Sequence, residues 1–289
     1  AAFRGELDAF WVVGGNFLET LPDPTAVAGA LQRVRTRLHQ DIVLSSMMLV
    51  DPAETVVLFP ATTRYESPGG GTETTTERRI VFSPEVRGPR VGSARAEWQV
   101  FGEVAARVRP ELAEKVRFAS SQAMRDEIAR AVPLYAGIER LRAQGDQFQW
   151  GGPQLFADAR FGTPDGRARF STVTSPDRSR PAGTFLLSTR RGKQFNSMVQ
   201  RERDPLTGAA REDVLMAAED AARLGLADGA RLRLRSSVGS FEGRLKVDSV
   251  KPGNLEVHWP EGNVLLSREE IDRLSHEPDY NACVTVERV

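Results

Sequence analysis

Cysteine is nearly absent from this sequence: Cys283 is the single one among 289 residues. One thiol excludes a disulfide framework, a zinc ribbon and an iron–sulfur cluster held by this chain alone, each of which needs several thiolates. Histidine is almost as scarce. His39, His258 and His276 are far apart with no ligand-like spacing, which argues against a histidine-rich metal site. Net charge is missing too, since 39 Lys+Arg balance 39 Asp+Glu. A general nucleic-acid binder needs a basic face to replace phosphate counterions, so that class is set aside and only a local basic pocket stays open. No apolar run approaches the roughly 20 residues that span a bilayer. The opening Ala1-Ala2-Phe3-Arg4-Gly5 has no initiator Met, charged n-region or apolar h-region. It reads as a mid-protein start, so a fragment is expected; with no signal peptide in view, the expected location is cytoplasmic.

What is present alternates strand and helix signals at first. Phe10-Trp11-Val12-Val13 reads as a buried strand entering the tight turn Gly14-Gly15-Asn16. Pro22-Asp23-Pro24-Thr25 offers a helix entry, and Val27, Ala30, Leu31, Val34 and Leu38 follow at helical spacing. Ile42-Val43-Leu44 and Thr55–Phe59 are expected as the next two strands. Strand, helix and strand with short joins favour a parallel sheet with helices on its faces. Residues 61–96, with Gly69-Gly70-Gly71-Thr72 and Thr74-Thr75-Thr76, show no pattern of an ordinary core element. Helices are expected at Glu97–Val108, Ser121–Ala131 and, shorter, Ile138–Arg142. The Gly-, Pro- and Asp-rich stretch that follows reads as a connector packed down through Phe148, Trp150, Phe156, Phe161 and Phe170.

From Thr184 the character becomes β. Strands are expected at Thr184–Ser188, Leu255–Val257 and Val284–Val286, with a hairpin folding Leu232 and Leu234 onto Phe241, Leu245 and Val247. One helix, Ala217–Leu224, interrupts them, and short strands with one helix suit a small barrel. The expected organisation is therefore α/β plus β: residues 1–145 an αβα lobe, 146–182 a connector, and 183–289 a β-barrel.

Several clusters suit a nucleotide. Gly14-Gly15-Asn16 leaves a strand at the edge where α/β sheets bind ligands, although a glycine turn with no ligand reads the same way. Ser45-Ser46 would sit on that edge with two hydroxyls, or form a plain surface loop. Ser188-Thr189-Arg190-Arg191-Gly192-Lys193-Gln194-Phe195-Asn196-Ser197 packs three cations, two amides and three hydroxyls into ten residues. That mix fits a pyrophosphate-linked nucleotide, and equally a solvated basic loop. His258, before Trp259-Pro260-Glu261-Gly262-Asn263, is expected to make a hydrogen bond near a strand end, and Cys283 to be a buried small hydrophobe. No Ser-His-Asp constellation, nucleophile elbow, P-loop or spaced carboxylate pair is present, so hydrolase chemistry has no support.

The order of segments resembles the molybdopterin oxidoreductase family. The resemblance is carried by Trp11–Asn16, Leu58–Glu66, Gly69-Gly70-Gly71-Thr72 with Glu77-Arg78-Arg79, and Glu97-Trp98. It continues through Phe161–Ala168, Leu187–Ser197, Asp204–Gly208, Ala221–Gly229 and Glu277–Val284, collinear over essentially the whole chain. The nearest variety looks like the C-terminal part of formate dehydrogenase-type catalytic (alpha) subunits. The resemblance implies a Rossmann-like αβα lobe followed by a double-psi β-barrel, the molybdopterin dinucleotide-binding domain. Together they would hold part of a bis(molybdopterin guanine dinucleotide) with Mo or W. Gly14, Gly15, Asn16, Ser45 and Ser46 would line the guanosine side. Thr189, Arg191, Lys193, Gln194, Asn196 and Ser197 would touch the pterin and pyrophosphate, and Asn263, Tyr280 and Asn281 the other flank. No residue here would ligate the metal or act as a catalytic group. A 4Fe-4S cluster would belong to a preceding N-terminal part. Three residues depart from the family: Ser45 stands where many relatives have an acid, Phe195 where some formate dehydrogenases have a His, and Asn281 where several have a Lys. The implied partners are N-terminal lobes of the same subunit, a small-molecule substrate and an electron-transfer subunit, with no nucleic acid and no membrane span. The competing reading is a non-catalytic module that binds a nucleotide or a partner.

Overall fold

Three parallel strands organise the N-terminal part of the computed structural model, which describes residues 1–175, 179–194 and 201–289. β1 (Ala9–Val13) runs into the short helix α1 (Phe17–Thr20) and then α2 (Pro24–Gln32), and returns as β2 (Thr36–Asp41). A 3-10 turn at Ser46–Leu49 leads to β3 (Thr55–Pro60), and the sheet order is β1-β2-β3. Helix α2 starts where Asp23 accepts a hydrogen bond from the Ala26 amide at 3.0 Å with Pro24 in the first turn, both favourable entry chemistry. Its Val27 and Leu31 pack with Val12 and Met47 on one face of the sheet. On the other face the Trp11 ring meets Phe59 at 5.9 Å and Phe101 of α3 (Glu97–Val108) at 4.8 Å. Helices thus cover both faces, the αβα layering that parallel pairing requires.

A second small sheet is antiparallel, in the order β4-β5-β6: β4 (Gly71–Thr74), β5 (Arg79–Ser83) and β6 (Gln147–Gln149). It packs Ile80 and Phe82 against Ile138, Leu141 and Ile128, the last from α5 (Ser121–Ala131), which follows α4 (Ala113–Val116). The expectation of no core element across residues 61–96 fails here: β4 and β5 pair as a local hairpin, and β5 takes its second partner from far along the chain. β5 pairs with β6, more than 60 residues on.

β2 also differs from expectation. The strand is Thr36–Asp41, and Ile42, Val43 and Leu44 lie beyond it, 57%, 65% and 73% exposed. Leu38 belongs to this strand and not to the helix; the apolar spacing from Val27 ran across the helix end at Gln32. Arg37, His39 and Gln40 are buried on β2, and so many polar residues conceal a buried strand. Of the connector aromatics, Phe148 and Trp150 pack as expected and Phe156 stacks on Phe161 at 4.9 Å, but Phe170 is 96% exposed.

The C-terminal part is a closed six-stranded double-psi β-barrel. Its strands are β7 (Phe185–Arg190), β8 (Asp213–Met216), β9 (Arg231–Arg235), β10 (Ser240–Val247), β11 (Asn254–His258) and β12 (Asn281–Arg288). The order around the barrel is β10-β8-β11-β7-β12-β9. β7 pairs parallel with β11 and β8 parallel with β10, while the remaining pairs are antiparallel. α6 (Ala218–Arg223) follows β8 and adds Ala221 to the core. Alternate residues point inward: Phe185 and Leu187, Leu232 and Leu234, Leu255 and Val257. The same alternation corrects Cys283. Val284 beside it is fully buried, so Cys283 faces outward and is exposed.

Candidate functional site

The two parts meet where a 3-10 turn, Glu261–Leu265, follows β11 and docks on α1. The Asn263 side-chain amide donates to the Glu19 carbonyl at 2.9 Å, the Asp23 amide donates to the Asn263 carbonyl at 3.3 Å, and Trp259 Nε1 donates to the Thr20 carbonyl at 3.4 Å. Asn263 is essentially fully buried in this seam. Gly262 lets the turn lie close against the barrel, since a Cβ there would stand 2.4 Å from Val257 and 2.9 Å from Thr189.

At the other end of α1, Asn16 donates from Nδ2 to Ser46 Oγ at 2.9 Å, and Ser46 donates in turn to Glu19. This network joins the β1–α1 turn to the segment after β2, both at carboxyl ends of parallel strands. Asn16 Oδ1 and Ser45 Oγ stay without a hydrogen-bond partner. Gly14 and Gly15 both take positive φ, 65° and 77°, and no atom lies within 4 Å of where their Cβ atoms would be. The Gly14 amide donates to the Gln40 carbonyl, which closes the turn onto the sheet.

On the barrel side the expected residues gather at the end of β7. The Thr189 amide donates to the Tyr280 carbonyl at 3.1 Å, and Ser188 donates to Asn281 Oδ1 at 2.7 Å. Burial, with Glu277 nearby, pushes the Tyr280 phenol up from its ordinary range. Arg191 and Lys193 are exposed, and among the described residues neither forms an ion pair with a carboxylate. The Arg191 guanidinium stands over the Trp259 ring at 5.7 Å. Neighbouring cations are neutralised instead: Arg190 by Glu256 and Asp204, and Arg211 by both oxygens of Glu261 at 2.8 and 2.5 Å. Gln194 is fully buried, with its amide nitrogen 2.9 Å from Nε2 of the equally buried His258. Burial first, then the charges of Arg211 and Arg190, hold His258 below the ordinary histidine range, against Glu261 and Asp204. Asn196 and Ser197 lie outside the described residues.

A chain of contacts therefore runs from the Gly14–Asn16 turn along α1, about 6 Å long at 1.5 Å per residue, to Thr20, the Trp259 ring and Arg191. Bare amides and hydroxyls stand at one end and uncompensated cations at the other, a set suited to a polar heterocycle joined to phosphates. Trp259 and Asp204 are parts the sequence reading did not single out as site residues. Trp259 had a signal in its position before Pro260 and Asn263. Asp204 had only its place in Asp204–Gly208, one of the segments that carry the family resemblance. Among the described residues no three or more His, Cys, Asp or Glu side chains are grouped to hold a metal ion, and no helix is long and apolar enough to cross a membrane.

Residues 185–284 match the family described as "Molydopterin dinucleotide binding domain". That part of the chain is such a domain, and over most of its length the chain is homologous to molybdopterin oxidoreductase subunits. It is 30% identical over 280 residues to an NADH-quinone oxidoreductase subunit of Rhizobium meliloti, covering 95% of this chain and 30% of that protein. It is 27% identical to "F420-dependent formate dehydrogenase 2 subunit alpha" of Methanococcus maripaludis, over 96% of this chain and 42% of the relative. "Assimilatory nitrate reductase" of Haloferax mediterranei is 28% identical, over 94% and 41%. The chain thus spans well under half the length of these relatives. Among solved structures, acetylene hydratase from Pelobacter acetylenicus superposes over 100% of this chain and 46% of its own, with a TM-score of 0.67 at 15% identity, a likeness of fold.

Proposed function

We propose that this chain is the cofactor-holding C-terminal portion of a molybdenum or tungsten oxidoreductase, one that performs a two-electron reaction on a small substrate of the formate type. The observation that carries this reading is the hydrogen-bonded seam of Asn263 and Trp259 on α1, which ties the strand-end turn to the basic barrel loop. A molybdopterin guanine dinucleotide fits the residues present. The open Gly14–Gly15 turn, Asn16 and Ser45 suit guanosine, because Asn16 Oδ1 and Ser45 Oγ lack partners. Arg191 and Lys193 suit the pyrophosphate, with Thr189, Tyr280, Asn281 and Asn263 on the flanks of the pterin.

When bound, the group supplies the redox chemistry. The chain's own residues bind and orient it: Arg191, braced on Trp259, and Lys193 offset phosphate charge, while the seam fixes the two halves of the site relative to each other. The metal ligand and any iron–sulfur cluster would come from other segments of the same subunit, and an electron-transfer subunit would be the redox partner.

The test is metal, pterin and nucleotide analysis of the natively encoded polypeptide containing this chain, purified from its host. Mo or W with guanine nucleotide at about one or two equivalents, lost in Arg191→Ala/Lys193→Ala, is the expected result. A stable protein with neither metal nor pterin overturns the reading. Assays with formate and with nitrate on the loaded protein decide the substrate, and turnover of nitrate alone refutes the formate assignment.

A further inference from the structure

Gln194 sits in the middle of the polar barrel loop, yet it is turned inward and completely buried. Its side-chain amide meets His258 Nε2 at 2.9 Å, and its backbone carbonyl accepts the Arg201 amide at 2.8 Å. Residues 194 and 201 are thus held together. One residue earlier, the Lys193 amide donates to Asp204 at 2.8 Å. Asp204 is itself fully buried, accepts from the Leu206 and Thr207 amides, and pairs with Arg190 at 3.6 Å. Gly192 completes the arrangement, because a Cβ there would stand 2.2 Å from Gln194 Oε1 and 2.9 Å from the His258 ring.

Burying three polar side chains at one barrel end is unfavourable compared with filling it with apolar ones. Their common effect is on the backbone: together they fix Gly192, Lys193, Gln194 and Arg201. We propose that Gln194 is a positioning residue and not a contact of the dinucleotide, and that His258 and Gln194 form a buried anchor setting the base of the loop that presents Arg191 and Lys193. The proposal rests on the cofactor reading above. The anchor acts through the loop, so its effect is on retention of the cofactor and on local opening of the loop, with the barrel intact.

The experiment compares the natively encoded polypeptide with its His258→Ala and His258→Gln variants. Deuterium exchange is read on peptides covering 191–203 and on β12, together with guanine nucleotide recovered per chain. Loss of the anchor is expected to speed exchange in 191–203 about tenfold or more, leave β12 unchanged and lower nucleotide content several-fold. His258→Gln, which returns an amide to the same place, is expected to restore most of both. Unchanged exchange in 191–203 overturns the anchor, and faster exchange throughout the barrel reduces His258 to packing and overturns it as well. A loosened loop with full nucleotide content overturns the positioning role. Wild-type protein without guanine nucleotide overturns the cofactor reading itself, and with it this inference. If His258→Ala does not fold, Gln194→Ala is read by the same criteria.

Discussion

Gly192→Ala is the sharpest probe of the barrel loop, because two separable effects meet at one atom. Gly192 has φ +72°, where an L side chain costs about 1–2 kcal/mol. The added methyl would also stand 2.2 Å from Gln194 Oε1 and 2.9 Å from His258 Cδ2. Neither neighbour is a loose surface group, since both are fully buried and bonded to each other. Relieving the overlap means breaking that buried contact, about 1–3 kcal/mol more. The expected loss is therefore about 2–5 kcal/mol. Gly229→Ala is the control: φ is +81° and no atom lies within 4 Å, so only the backbone contribution applies. Urea unfolding followed by tryptophan fluorescence measures both. Gly192→Ala should shift the midpoint clearly further than Gly229→Ala, and Gly192→Ala/Gln194→Ala should fall short of the sum of its parts, as neighbours in contact do. Equal shifts for the two glycines, or strict additivity in the pair, would refute the reasoning.

Stability should fall on mild acidification. His258 and His39 are both held below the ordinary histidine range, His39 by burial first and then Arg37, against Asp41. The unfolded chain takes up their protons near pH 6.5 and the native chain only at lower pH. Unfolding free energy therefore drops as pH falls below about 6.5, by at most about 1.4 kcal/mol per unit for each histidine. Urea titrations at pH 7.5 and 5.5 check this, and a slope unaltered by His258→Gln would remove His258 from the account. Asp204→Ala leaves three backbone donors facing a buried site without their acceptor, so about 3 kcal/mol or more should be lost; calorimetry showing a change under about 1 kcal/mol contradicts that. Leu187→Ala, at a fully buried barrel position, should cost about 2–5 kcal/mol in the same measurement. Arg191→Ala/Lys193→Ala should change stability by no more than about 0.5 kcal/mol, because both side chains are exposed. A larger loss would mean that these cations support the fold.

Most elements were legible where side chains alternate or repeat cleanly. Helices Glu97–Val108 and Ser121–Ala131 lie where they were expected, the second capped by Ser120, and β9 and β10 pair as the expected hairpin. The failures share a cause in tertiary burial. β2 carries Arg37, His39 and Gln40 inside, with Arg37 donating to the Met47 and Val50 carbonyls, so its polarity hid it and the apolar Ile42–Leu44 took its place. β8 was missed because Val214, Leu215 and Met216 are all buried and show no alternation. β4 and β5 form a local hairpin, but its place in the core depends on β5 pairing with β6 across a long stretch of chain.

The site was legible as a set of residues but not as an arrangement. Composition alone left Gly14–Asn16 a turn or a nucleotide contact, and the Ser188–Ser197 run a nucleotide site or a solvated loop. The resemblance to a family brought the two together. The structure adds what neither supplied: which polar groups are already spent. Arg190, Arg211, Gln194 and Ser46 look as available in sequence as Arg191 and Lys193. In the fold the first four are bonded to Glu256, Glu261, His258 and Glu19, although Gln194 keeps its buried Oε1 without a partner. Arg191 and Lys193 are left uncompensated, and a dianionic phosphate linkage would find its attraction there. A charge already neutralised within the protein has little left to offer a ligand, because both claims fall on the same donors. Of the three cations in Ser188–Gln194, Arg191 and Lys193 are thus the two without a carboxylate among the described residues, and the buried Gln194–His258 contact lies directly after them.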